Sequence, residues 1–271
     1  MSKHTVRKSY QTDLSDKEWE KIEPHIPKRK AKRGRKREHP FREILNAIFY
    51  IVRSGCVWRL LPHDFPPWQT VYYYFRTWKL SGVWENMNAA LRTELRVVSD
   101  RNPEPSTAVL DSQSVKTTET PGVRGYDAGK KVKGRKRHML VDVMGLLMMV
   151  VVHAANIQDR DGAMLVLGKA KGKFPRLQLI WADGGYTGKL IEWTKQFCNW
   201  ILEIVKRSDD AKGFQVLPRR WIVERTFGWF GRYRRLSKDY EGLTETNESI
   251  IYAVMSHIMV RRLVKIQQLN T

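Results

Sequence analysis

KRHMLVDVMGLLMMVVVHAA, residues 136–155, decides the fold. Two apolar runs flank Met144-Gly145, and the second is rich in β-branched residues. That pattern predicts a β-hairpin turning at Met144-Gly145. Its longest apolar run, Val143 to Val152, is about half the length a membrane span needs. Upstream, TAVLDSQSV (107–115) is a short apolar run that becomes polar, which reads as a strand. Downstream, Asp159 to Lys169 reads as a helix and LQLIWAD (177–183) as a buried strand. Thr187 is the expected cap of a helix running to about Phe197. WILEIVKR (200–207) reads as another strand. Helices are expected from Arg219 to about Tyr233 and over 245–268. The order β-β-β-α-β-α-β-α-α implies an α/β domain, a mixed sheet covered by helices.

Residues 1–100 carry a different pattern and read as an all-helical region. Ser15 and Glu18 have the spacing of a capping box, so a short helix should open at Asp16 and stop near Pro24. Phe41, Ile44, Leu45, Ile48, Phe49 and Val52 share one helical face, with Gly55 as terminator. A third helix is expected over about 69–80 and a fourth over about 83–98. Tyr72, Tyr73, Tyr74, Phe75 and Trp78 are too many aromatics for one face, so some must be exposed or meet a partner. The second and third helices could form a helix-turn-helix variant, although their connection is longer than the usual turn. RNPEPS (101–106) reads as a linker between the helical region 1–100 and a domain spanning 107–271.

Charge narrows the function. The 271 residues hold 49 Lys+Arg against 28 Asp+Glu, a net charge of +21. Such an excess favours a polyanion, bound through phosphate contacts and counterion release. It occurs in both halves, since residues 1–100 hold 20 basic and 11 acidic side chains. KRKAKRGRKR (28–37), which includes Lys28, Arg29 and Lys30, cannot pack in a core and reads as an arm along a nucleic acid or as a solvated linker. GKKVKGRKRH (129–138) offers Lys130, Lys131, Lys133, Arg135, Lys136 and Arg137 as further phosphate contacts. Cys56 and Cys198 are far apart and fit neither a disulfide framework nor a zinc site. No signal peptide is visible, so a cytoplasmic, nucleoid-associated protein is expected.

Three acids stand out. Asp111 and Asp183 close the apolar runs AVLD and LIWAD, and a charge at the carboxyl end of a buried strand is costly unless solvated, paired or bound to a cation. Open α/β sheets hold their ligands at those strand ends. Glu224 lies four residues after Arg220 on one helix face, where a surface ion pair would explain it equally well. Arg225, Arg232, Arg234 and Arg235 lie close by. Three carboxylates without a His/Cys cluster suit Mg²⁺ or Mn²⁺, and phosphoryl transfer by two such ions fits that set. Asp142 could be a further metal acid or a hairpin-turn acid. Asp159 and Asp161 read as first-turn helix acids, and His138 and His153 as packing or phosphate contacts.

DSQSVKTTETPGVRGYDAGKKVKGRKRHMLVDVMGLL, VVHAANIQDRDGA, WADGGYTG and RRWIVERTFGWFGRYRRLSKDYE occur in that order, after YQTDLSDKEWEKIEPHIP and WRLLPHDFPPWQTVYYYFRTW. Together they resemble bacterial insertion-sequence transposases of the IS-five family over nearly the whole chain. The resemblance implies an RNase H-like catalytic domain whose DDE triad falls on Asp111, Asp183 and Glu224. It also implies Mg²⁺ or Mn²⁺ as cofactor, DNA as partner (the inverted-repeat ends and the target) and strand transfer. Synapsis of two ends implies a homodimer in the working complex. The related pattern Y-x2-R-x3-E-x6-K is met only by Arg220 and Glu224. Leu217 stands at the tyrosine and Gly231 at the lysine, with Arg232 next in line. A non-enzymatic DNA-binding relative would share the charge and the helices, but the intact three-acid set argues against it. A nuclease lacking strand transfer would share the fold.

Overall fold

The computed structural model describes residues 7–27, 38–205 and 221–269. The segments holding Lys28, Arg29, Lys30, Leu217 and Arg220 lie outside the described residues. The helical region consists of α1 (Asp16–Ile22), α2 (Phe41–Ser54), α3 (Trp68–Leu80) and α4 (Val83–Val97). Ser15 and Glu18 make both bonds of the capping box, and Gly55 ends α2 at φ 75°, a conformation that favours glycine. On α3, Phe75 and Trp78 are buried while Tyr72 and Tyr73 are exposed.

The α/β part contains β1 (Thr107–Lys116), β2 (Gly125–Asp127), β3 (Val132–Asp142), β4 (Leu147–Ala154) and α5 (Asp159–Ala170). After these come β5 (Leu179–Ala182), α6 (Lys189–Trp193), β6 (Ile201–Ile204), α7 (Trp221–Gly231) and α8 (Thr244–Leu269). β4 and the short β2 both pair with β3, which lies antiparallel to β1. β5 then runs parallel to β1, and β6 parallel to β5. The expected α/β mixed sheet covered by helices is therefore present, and β2 is an addition to it. Thr187 is not the helix cap. Its hydroxyl donates to Gly184 O at 2.9 Å, and Gly188, at φ 91°, takes the N-cap position. The helix from Lys189 ends at Trp193 and continues as one π turn, Thr194–Cys198.

Strand alternation sorts the side chains onto two cores. Ala108, Leu110, Leu140, Ile180 and Ala182 face α5, where Ala163, Val166 and Leu167 meet them. Val109, Met139 and Val141 face the other way, into a core with Ile251, Met255 and Met259 of α8. That second core runs on without a break into Ile44, Ile48 and Val52 of α2 and Leu91 of α4. α8 is consequently buried on most of its circumference, between the sheet and the N-terminal helices. Segment 101–106 is tied down at Asn102 O by Arg96 and at Ser106 O by the N–H of Gln178.

Candidate active site

β1 and β5 lie in parallel register, with Ala108 beside Ile180 and Val109 beside Trp181. The paired residues end there; the same register continued two residues further would set Asp111 level with Asp183, just past the end of β5. Alternation puts both on the face of Val109 and Trp181, the α7–α8 side. Both are half-buried. Each has one carboxylate oxygen oriented by a nearby backbone N–H: Ser112 N donates to Asp111 Oδ1 at 2.7 Å, and Gly185 N to Asp183 Oδ1 at 2.8 Å. An added Cβ at Gly184 would meet nothing within 4 Å, so the chain beyond Asp183 leaves open space. Two hard carboxylates on neighbouring strands are a donor type that fits a divalent oxygen-seeking cation.

The third acid comes from α7, which packs against β1. α7 hangs from the β3–β4 turn: Thr226 Oγ1 donates to Gly145 O at 2.8 Å and Arg225 Nη2 to Met144 O at 2.9 Å. Ile222, Val223 and Phe230 bury one side of α7, and Glu224 is exposed beside them. The structure thus puts Asp111 within β1 and Asp183 directly after the neighbouring β5. It puts Glu224 on α7, which packs against β1, without closing the three into a metal-holding group among the described residues.

Behind the acids, on the α5 face, lies a polar cluster that sequence reasoning missed. Ser112 Oγ donates to Asp159 Oδ1 at 2.9 Å and accepts from Lys130 Nζ at 3.3 Å. Lys136 Nζ lies 3.0 Å from Asp159 and 3.4 Å from Asp127. Burial pushes the Asp159 carboxyl up, but the bonds from Lys136 and Ser112 outweigh it and hold it below the usual range. At Asp127 burial acts the same way, and Ser114, the Lys130 N–H and Lys136 again outweigh it. The available signal was the period of two in β1, which sends Ser112 to the side opposite Asp111.

Several residues expected to contact DNA are corrected. Arg135, Lys136, Arg137 and Arg235 are buried, with relative exposures of 1%, 4%, 0% and 7%. Arg135 pairs with Asp239 at 2.9 Å and donates to Glu241 O and Gly242 O. Arg137 donates to Leu236 O, Lys238 O and Asn247 Oδ1, and burial pulls its pKa down to about 10. Arg235 is held by Glu241. These guanidiniums fasten the 236–247 segment onto the sheet and are not presented to a phosphate. Arg225 is half-buried over the Trp221 ring, 4.2 Å from its centroid. Lys131, Lys133, Arg232 and Arg234 are exposed, as is Lys130 apart from its bonds to Ser112. Asp142 is the turn acid. It is fully buried, accepts from Met144 N and Leu146 N at 2.9 Å each, and pairs with Arg96. Asp159 and Asp161 occupy the first turn of α5, as expected. Both cysteines are free thiols, and Cys198 is buried.

Comparison with known proteins gives concordant results. Residues 102–259 match a family model described as "Transposase DDE domain". Residues 14–88 match one described as "Putative transposase of IS4/5 family". The chain is similar to the insertion element IS402 uncharacterized 16.2 kDa protein of Burkholderia cepacia, at 28% identity over 124 residues. That match covers 44% of this chain and 78% of the other. No solved structure matches.

Proposed function

The chain belongs to the DDE-domain transposases and is a DNA transposase of the insertion-sequence kind, and on that premise we propose that Asp111, Asp183 and Glu224 are its catalytic triad. The family implies an RNase H-like fold, a divalent cation and DNA as substrate. The observation that supports the triad is the parallel register of β1 and β5, which, continued two residues past Val109 and Trp181, would set the two carboxylates level on one face. α7 supplies Glu224 from the same side.

Mg²⁺ or Mn²⁺, held by these three carboxylates as a pair of ions, would supply an activated attacking oxygen and stabilisation of the leaving oxygen. Asp111 and Asp183 give this site a fixed floor, because each carboxylate is oriented by a backbone N–H. Glu224 completes it from a helix anchored to the β3–β4 turn. Lys131, Lys133, Arg232 and Arg234 are exposed cations for DNA phosphates, with Arg220 and the 28–37 arm, including Lys28, Arg29 and Lys30, as further contacts. The helical region binds the inverted-repeat ends, and the sheet domain cleaves there and transfers the strand to target DNA. Two ends held together require a homodimer in the working complex, acting on the cytoplasmic nucleoid. Among the described residues no helix is long and apolar enough to cross a membrane.

The test is a cleavage and joining assay on the flanking inverted repeats with Mg²⁺. Asp111→Asn, Asp183→Asn and Glu224→Gln should each abolish cleavage while DNA binding stays near wild type, since a metal ligand goes and phosphate contacts remain. Near-wild-type cleavage by any one of them removes that residue from the triad.

A further inference from the structure

On the face of the sheet opposite the acids, three aromatic side chains form a buried hydrogen-bonded chain. Tyr186 Oη lies 2.8 Å from His138 Nε2, and His138 Nδ1 lies 3.1 Å from His153 Nε2. His153 Nδ1 lies 2.9 Å from the carbonyl of Ala154. A carbonyl only accepts, so His153 carries its proton on Nδ1 and offers a lone pair on Nε2. His138 must then donate from Nδ1 and accept at Nε2, which leaves the Tyr186 hydroxyl as donor. Every proton in the chain is assigned by that one carbonyl. Burial supports neutral rings, since it lowers the His138 pKa to about 3.

Tyr186 occupies a special place. It ends the short 3-10 turn Gly184–Tyr186 that begins at Asp183, and its own N–H donates to Asp183 O at 3.1 Å. Burial raises the pKa of its hydroxyl, which also feels the charges of Asp111, Asp159 and Asp183. The phenol therefore ties the chain leaving β5 to His138 of β3, which lies opposite Ser112, the neighbour of Asp111, in β1. α5 accommodates the arrangement through a glycine. A Cβ on Gly162 would come within 2.5 Å of both His138 Nδ1 and His153 Nε2.

We propose that Tyr186, oriented by His138 and His153, is a positioning residue that fixes Asp183 relative to Asp111 and so sets the affinity of the site for its divalent ion. The proposal rests on the triad reading above. Groups that orient metal ligands from behind typically change metal affinity by about 10–100-fold when removed.

The experiment titrates the full-length protein with Mn²⁺ alone, by calorimetry and by the loss of the free Mn²⁺ EPR signal, with DNA absent. Tyr186→Phe keeps the ring and should weaken Mn²⁺ binding about 10-fold. Gly162→Ala, which touches neither an acid nor the phenol, should weaken it in the same direction by forcing the imidazoles apart. His153→Gln retains an acceptor for His138 and should stay close to wild type, whereas His153→Leu should fall with Tyr186→Phe. A role confined to packing would not separate glutamine from leucine. Mn²⁺ affinity within 2-fold of wild type for Tyr186→Phe and Gly162→Ala, alongside loss of binding in Asp183→Asn, overturns the positioning role and leaves the triad standing. Undiminished binding in Asp183→Asn removes the metal site itself, and the proposal with it.

Discussion

Replacing Asp142 by Asn tests how the helical region and the catalytic sheet are joined. The carboxylate is fully buried and Arg96 of α4 is 5% exposed, so the pair sits in low dielectric. Arg92, also buried, donates to Leu147 O at 3.1 Å and depends on Asp142 as its largest source of favourable charge. Asparagine keeps an oxygen for Met144 N and Leu146 N but removes the negative charge. Two guanidiniums then remain buried without their anion. Breaking one partner of a buried pair costs about 3–5 kcal/mol. For a chain of this size each kcal/mol lowers Tm by about 2–4 °C, so a fall of roughly 10 °C is expected. Asp142→Ala should cost more, because two backbone N–H groups also lose their acceptor. The assay is thermal unfolding by circular dichroism over the cycle wild type, Asp142→Asn, Arg96→Met and the double variant. The double variant should recover about 1–3 kcal/mol relative to the sum of the singles, since only Arg92 is then left without its anion. Cleavage should fall further than stability does, because α7 and Glu224 hang from the same turn through Thr226 and Arg225. A Tm loss under about 2 °C for Asp142→Asn, or strict additivity, would refute the reasoning.

Two further outcomes are expected. His138, His153 and His257 are all buried with pKa values lowered by burial, so the unfolded chain takes up protons that the folded one refuses. Stability is then complete above about pH 6.5 and lost as pH falls below it, by up to about 4 kcal/mol per pH unit where all three differ. A Tm that is constant between pH 7 and pH 5 would contradict this. Replacing the basic residues of 28–37 by Gln should weaken DNA binding for all sequences and flatten the dependence of log K on log salt. An unchanged slope in a filter-binding or anisotropy titration would show that this arm makes no phosphate contact.

Much of the architecture was legible because periodicity and capping are local. The Ser15–Glu18 box, the Gly55 stop and the hairpin at Met144-Gly145 each follow from a few neighbouring residues. Asp111 and Asp183 stood out as acids that close apolar runs. Asp183 does follow the last residue of β5, but Asp111 lies inside β1, which continues to Lys116 because its polar residues pair with β3. The basic run 129–138 misled, because charge density says nothing about where acceptors lie. Within β3 the run splits by alternation, Arg135 and Arg137 toward α8, Lys136 and His138 toward α5. The oxygens that satisfy the arginines come from residues about a hundred positions later, at 236–247.

The sequence by itself determined the basic character and most of the order of helices and strands, because those follow from composition and short-range pattern. Only the tertiary structure decided which face each strand residue takes and which cations are spent inside the protein. It alone set Asp142 against Arg96, stacked Tyr186 behind Asp183 and fused the helical region to the sheet through α8. Such contacts join residues far apart in the chain, and their energy depends on burial and on the partner's position, neither of which a linear pattern carries.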